Sequence, residues 1–125
     1  MSSLIRVIST VLTLAVVGNK STADDGGSAR MNASWRVLES GLRSRDYGDR
    51  LLTTQVLGEL RGSEDWIARS LSDPEHDVRI AAVDALKHLG TPRAAQLLRR
   101  VRDDNTEKLD IRVLAAAALL QLGAD

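Results

Sequence analysis

Apolar positions in the C-terminal three quarters of the chain recur three and four residues apart. Val78, Ala82, Ala85 and Leu89 fall on one side of a helix, as do Ile111, Ala115, Ala118 and Leu122. Thr53, Val56 and Leu60 form a weaker third set. That period predicts helices with one apolar stripe each. The boundaries follow from local chemistry. Thr91-Pro92 reads as an N-cap followed by proline at the first helical position, opening a helix over about 92–102. Asp73-Pro74-Glu75 reads the same way for a helix ending at Leu89, with Gly90 as a left-handed stop. Ser63, then Glu64 and Asp65, opens a helix carrying Trp66, Ile67 and Leu71, its acids near the positive end of the helix dipole. The expectation is six helices in three hairpins: 32–44 with 47–61, 63–71 with 75–89, and 92–102 with 107–122.

The hairpins repeat. Residues 78–90 lie over residues 111–123 at a shift of 33, with the aliphatic-Arg start, the alanines and the closing Leu-Gly coinciding. A shift of 29 brings residues 49–60 into the same register, with Asp49 at the aliphatic place. A lone hairpin cannot bury its apolar side, whereas about three stacked hairpins share a continuous core. Repeats at about 32–62, 63–90 and 91–123 therefore predict a minimal all-α solenoid, occupying a domain of 32–125.

The stretch from Leu71 to Pro92 carries Asp73-Pro74, Val78-Arg79, Ala82, Ala85-Leu86 and Leu89-Gly90-Thr-Pro92. In that pattern it resembles a HEAT repeat, and more narrowly the HEAT-like repeats of phycobilin lyases. The similarity is strong over 63–123 and weaker over 32–62. It implies a short right-handed α-solenoid of about three helix-hairpin repeats. It also implies a ladder in which Arg50, Arg79 and Arg112, at equivalent positions, each bond the aspartate of the preceding turn (Asp46, Asp73, and Asp103 or Asp104) or one in the adjacent repeat. In the lyase-like relatives such repeats support chromophore attachment to a client. An accessory subunit of an enzyme is therefore the alternative function, beside a self-associating structural protein of the envelope. The third repeat departs from the pattern, because its turn at 103–110 is longer than the one at 73–77.

The first residues have a different character. Arg6 precedes an apolar run from Val7 to Val17, and small residues at Ser21 and Ala23 follow. This is the layout of a secretory signal peptide over 1–23, too short to span a bilayer, which takes about 20 apolar residues. The expectation is an exported protein, periplasmic or secreted, with no integral span after cleavage. Asp24 to Arg30 reads as a flexible Gly-rich leader, continuing to residue 31. Asn32-Ala33-Ser34 fits a glycosylation sequon, a pattern common by chance.

Composition narrows the chemistry. The 125 residues carry 17 basic and 17 acidic side chains. That balance argues against a protein built to coat nucleic acid, which needs a basic surplus. Arg99, Arg100 and Arg102 are followed by Asp103, Asp104 and Glu107, a self-neutralising surface without aromatic stacking partners. Cysteine is absent, which removes thiolate sites and disulfides. His76 lies between Glu75 and Asp77 without a ligand motif, and His88 sits in the last turn of a helix. No phosphate loop and no nucleophile–histidine pair is evident. The expectation is a non-enzyme with no metal and no cofactor. Trp35 and Trp66, each in a first helix, read as half-exposed packing residues.

A protein-binding module remains, with a protein client or a second copy as partner. On the helical wheel the face opposite the core carries Gln55, Gly58 and Glu59 in the first repeat. It carries Asp84, Lys87 and His88 in the second, and Ala117, Leu120 and Gln121 in the third. Val113 and Ala116 extend that last, apolar side. The expected partner surface is this concave second-helix strip together with the apolar C-terminal helix. A bare apolar face on a terminal repeat is unfavourable, at roughly 25 cal/mol per Å².

Overall fold

A computed structural model describes residues 33–125. The expected signal segment, the leader and Asn32 lie outside the described residues. Six helices and no strand are found among the described residues. They are α1 (33–42), α2 (Tyr47–Leu57), α3 (Glu64–Ser70), α4 (His76–Leu89), α5 (Pro92–Asp103) and α6 (Leu109–Leu122). Residues 39–125 form one compact unit, and the other unit, 1–38, enters the described set only through helical residues 33–38.

Local chemistry sets most boundaries. Thr91 accepts the Ala94 N–H on its hydroxyl at 3.1 Å, and Pro92 follows where a missing N–H is harmless. α4 and α6 each stop at a glycine with φ of 63°, the left-handed conformation that favours glycine. Two expected boundaries need correction. α4 begins at His76, one residue after the expected 75, and Pro74 is not its first residue, because Asp73 folds its carboxylate onto the Glu75 N–H at 2.9 Å and holds Asp73-Pro74 as a turn outside the helix. α2 ends at Leu57, short of the expected 61. The Ser63 hydroxyl takes the Leu57 carbonyl at 2.6 Å, and the chain turns through Gly62 at φ 84°.

Second helices α2, α4 and α6 lie side by side in one layer, with α3 against α4 and α5 against α6. Leu57, Ile67, Val78, Leu86, Leu98, Ile111 and Leu119 are wholly buried, giving an aliphatic core. Val56, expected in that core, is exposed on α2. Polar links also cross between repeats. The Thr91 hydroxyl donates to Glu64 at 2.8 Å, and the hydroxyls of Thr54 and Ser70 lie 2.7 Å apart. Among the described residues no buried side-chain polar atom lacks a partner.

The second helices approach closely because small residues line the contact. A Cβ built on Gly58 would stand 3.0 Å from Ala85 Cα. Gly58 has helical φ, so backbone freedom is not the reason for glycine there. The reason is the neighbouring backbone.

Arginines knit the turns together. Arg50 donates to Asp73 of the next repeat through Nε at 2.8 Å and Nη2 at 3.1 Å, while its Nη1 holds the Ser44 and Arg45 carbonyls. Arg79 repeats the arrangement on Glu107, at 3.1 and 3.4 Å, with the Asp73 and Pro74 carbonyls. Each guanidinium therefore ties its own turn to the next one. Two ladder assignments need correction. Arg79 takes Glu107 rather than Asp103 or Asp104, because the longer third turn carries that carboxylate into reach. Asp104 is occupied by the Thr106 hydroxyl and N–H at 2.6 and 2.9 Å, bonds that hold its carboxyl below the ordinary range. Arg112 donates to the Arg102 carbonyl, at 2.9 Å, and among the described residues it hydrogen-bonds no carboxylate; its charge acts on Asp103 and Asp104 only at longer range. Asp46 caps α2 through the Gly48 N–H, and Asp103 pairs with Arg102.

Burial pushes the Asp73 carboxyl up, but hydrogen bonds from Arg50 and the Glu75 N–H, with the charges of Arg50 and Arg79, outweigh it and leave the group below its ordinary value. The contribution is therefore present above the unfolded carboxylate range and lost as pH falls through the depressed value. Asp73→Ala is expected to destabilise by about 2 kcal/mol at neutral pH. Denaturant titrations across pH should show the gap from wild type closing in acid; a gap independent of pH contradicts the assignment. Gly58→Ala normally strengthens a helix. Here it should lower stability by about 1 kcal/mol through overpacking against Ala85, and an increase in melting temperature would contradict the contact.

Candidate functional site

The solvent side of the second-helix layer is not flat. A groove of about 360 Å³ runs along α4, flanked by α2 and α6. Its apolar lining comes from Leu51 of α2, Ile80, Ala81 and Val83 of α4, and Leu114 and Ala118 of α6; its polar groups are Gln55, Asp77, Asp84 and Lys87. The lining follows from helix geometry. Ile80, Asp84 and Lys87 are three and four residues apart, so one ridge of α4 faces the opening. Ala81 and Ala118 are short, and their size leaves the depression between neighbouring helices.

Five of the nine expected contact residues meet on this surface. Gln55, Asp84 and Lys87 line the groove, and a smaller recess beside it brings together Gln55, Glu59, Asp84 and His88. Lys87 pairs with Asp84 at 3.1 Å, and His88 Nε2 lies 3.3 Å from Glu59. These pairs are exposed and of little value to stability. They mark the rim with both signs of charge.

The four residues expected on α6 lie elsewhere. Val113, Ala117, Leu120 and Gln121 are exposed but do not line the groove, and α6 contributes Leu114 and Ala118 in their place. The physical reason is rotation about the helix axis. Leu114 and Ala118 point back toward α4, whereas Val113, Ala117 and Leu120 point away from the preceding repeat. A wheel drawn for one helix separates core from solvent, but it does not divide the solvent side between groove and open end. Repeat equivalence does: Leu114 and Ala118 correspond to Ala81 and Ala85, the residues of α4 on the α2 side.

The candidates for other chemistry have structural surroundings. His76 Nε2 lies 2.7 Å from Asp110, a link from the second repeat to the third. Among the described residues no three metal-ligating side chains come together. The Arg69 guanidinium stands 4.9 Å from the ring centre of half-buried Trp66, a cation–π contact. Arg99 donates to the Ala124 carbonyl, and Arg102 pairs with Asp103 and Asp125, so the C-terminal residues fold over the end of α5. No helix among the described residues is long and apolar enough to cross a membrane.

Comparison with known proteins agrees with this architecture. No curated protein and no solved structure matches the chain. A family model described as HEAT repeats does, over residues 36–122. The match is to HEAT repeats in general and does not single out the lyase-type subgroup. HEAT repeats generally mediate protein–protein interaction and typically act as non-catalytic scaffolds. With stacked helical hairpins, an Arg-linked series of turns and a family match over more than half its length, the chain belongs to the HEAT repeat family.

Proposed function

We propose that the chain is an exported, non-catalytic binding module that holds a segment of a client protein in the groove along α4. One observation carries the reading: an apolar depression on rigid helices, rimmed by Gln55, Asp77, Asp84 and Lys87. An apolar floor supplies affinity, and a few polar groups at its edge set orientation. The size suits two or three apolar side chains of a helical or extended segment. Helices that carry the site are already packed, so binding sacrifices little conformational freedom. Export rests on the charged start, the short apolar run and the small residues at Ser21 and Ala23.

A photo-cross-linking side chain placed at Gln55 or Lys87 should capture one client in extract of the source cell. The same group at Gln96 or Arg100, exposed on α5, should not. Leu114→Gln, which makes a half-exposed groove wall polar, is expected to weaken capture about tenfold. Capture from α5 alone, or from neither face, contradicts the groove. Protein purified from the source should begin at Asp24; an N-terminus at Met1 or Ser2 contradicts export.

A further inference from the structure

The two ends of the stack are the two halves of a contact that its interior already makes. With Arg50, Arg79 and Arg112 aligned, Leu52, Ala81 and Leu114 form one column, and Val56, Ala85 and Ala118 the next. These columns face the preceding repeat. Ala81 and Ala85 are buried against α2 and Ala118 against α4, while Leu114, larger than Ala81, stands 42% exposed in the groove. On α2, Leu52 is 61% exposed with Val56 beside it, also exposed. The columns on the other side face the following repeat: Leu51, Ile80 and Val113; Thr54, Val83 and Ala116; Gly58, Lys87 and Leu120. Their interior members are buried or half-buried, but Val113 is 56% and Leu120 69% exposed on α6.

The ladder ends in the same place. Arg50 and Arg79 each grip a carboxylate on the next repeat's turn, whereas Arg112 donates to one carbonyl and among the described residues makes no hydrogen bond to a carboxylate, its charge reaching Asp103 and Asp104 only at longer range. The α6 end therefore carries the apolar flank and the arginine of a repeat contact, and no described residue covers that flank.

We infer that a second copy of this chain occupies that end, head to tail, with the Val113–Leu120 face of α6 against the Leu52–Val56 face of the next copy's α2. One contact covers both exposed apolar faces, which an α6-to-α6 pairing cannot do. It continues the α2–α4 and α4–α6 interfaces in the same direction. The contact is heterologous, so it adds copies in series. It is also weaker than the interior contact, for a visible reason. The turn position that carries Asp73 in the second repeat carries Ser44 in the first: the Ser44 carbonyl accepts from Arg50 just as the Asp73 carbonyl accepts from Arg79. At the junction Arg112 meets a hydroxyl where the interior has a carboxylate. Assembly is thus reversible and rises with concentration. The inference rests on the reading of the chain as a protein-contact module but uses its ends, not the groove.

Sedimentation of the full chain over a wide concentration range tests it. Mass should rise in steps of one copy. Leu120→Glu and Leu52→Glu should each stay monomeric while keeping wild-type helix content. An equimolar mixture of the two should form a dimer and nothing larger, because one intact tail then meets one intact head. Ser44→Asp should tighten association about tenfold, and the gain should vanish when Arg112→Gln is added. Wild type that stays monomeric throughout overturns the inference. So does a Leu52→Glu protein that still dimerises, since that marks an α6-to-α6 pair. Cross-linking of a client from Gln55 in a monomeric protein leaves the groove reading standing while this one fails; assembly without a client does the reverse.

Discussion

A helical hairpin has more apolar surface than its own two helices can cover. Each second helix in this chain touches its first helix on one side and has two further flanks, one toward the repeat before and one toward the repeat after. Everything else in the structure answers that constraint. The flanks are covered by stacking, and stacking at short range requires small side chains. Gly58 against Ala85 meets this requirement, with the two backbones so close that a single added carbon would touch. Because the helices stand this near, their turns are near as well, and a guanidinium can span from one turn to the next.

That span is what the repeated arginines do. Arg50 and Arg79 each satisfy carbonyls of their own turn, which lie outside the bond ladders of both flanking helices, and reach a carboxylate of the following turn. A rigid turn fixes the direction in which the second helix leaves it, so the arginine sets helix orientation as well as turn spacing. The groove depends on this. Its lining comes from three helices, and a shift of any one would change its width. The binding surface is a consequence of regular packing, with no loop of its own to shape it.

Repetition also explains the ends. An interior flank is built to be covered, and among the described residues the outer flanks of α2 and α6 carry the same pattern without a cover. α6 shows this through Val113 and Leu120, and α2 through Leu52 and Val56. The helix of the interior carries Lys87 at the position of Leu120, and its aliphatic stem packs while the ammonium reaches the rim. Substituting leucine there removes the polar tip and makes the terminal flank apolar throughout.

Much of the architecture was legible in the order of residues. Helix period, the Thr91-Pro92 start and the Gly90 and Gly123 stops are local features, set within one turn of chain by backbone geometry and capping. The repeat register followed from self-similarity, and with it the equivalence of Arg50, Arg79 and Arg112. What the arginines bond was not local. Glu107 rather than Asp104 receives Arg79, because the length and folding of the third turn decide which carboxylate arrives, and that is settled by packing across repeats. The same holds for the groove. Gln55, Asp84 and Lys87 were identifiable as solvent-facing from one helix at a time. Whether Leu114 or Leu120 stands beside them depends on how α6 is rotated against α4. Sequence by itself determined the elements, their order and the apolar side of each helix, since those arise within a few residues of chain. Tertiary structure alone decided which exposed flank becomes a groove and which an open end, since that distinction exists only once three helices lie side by side.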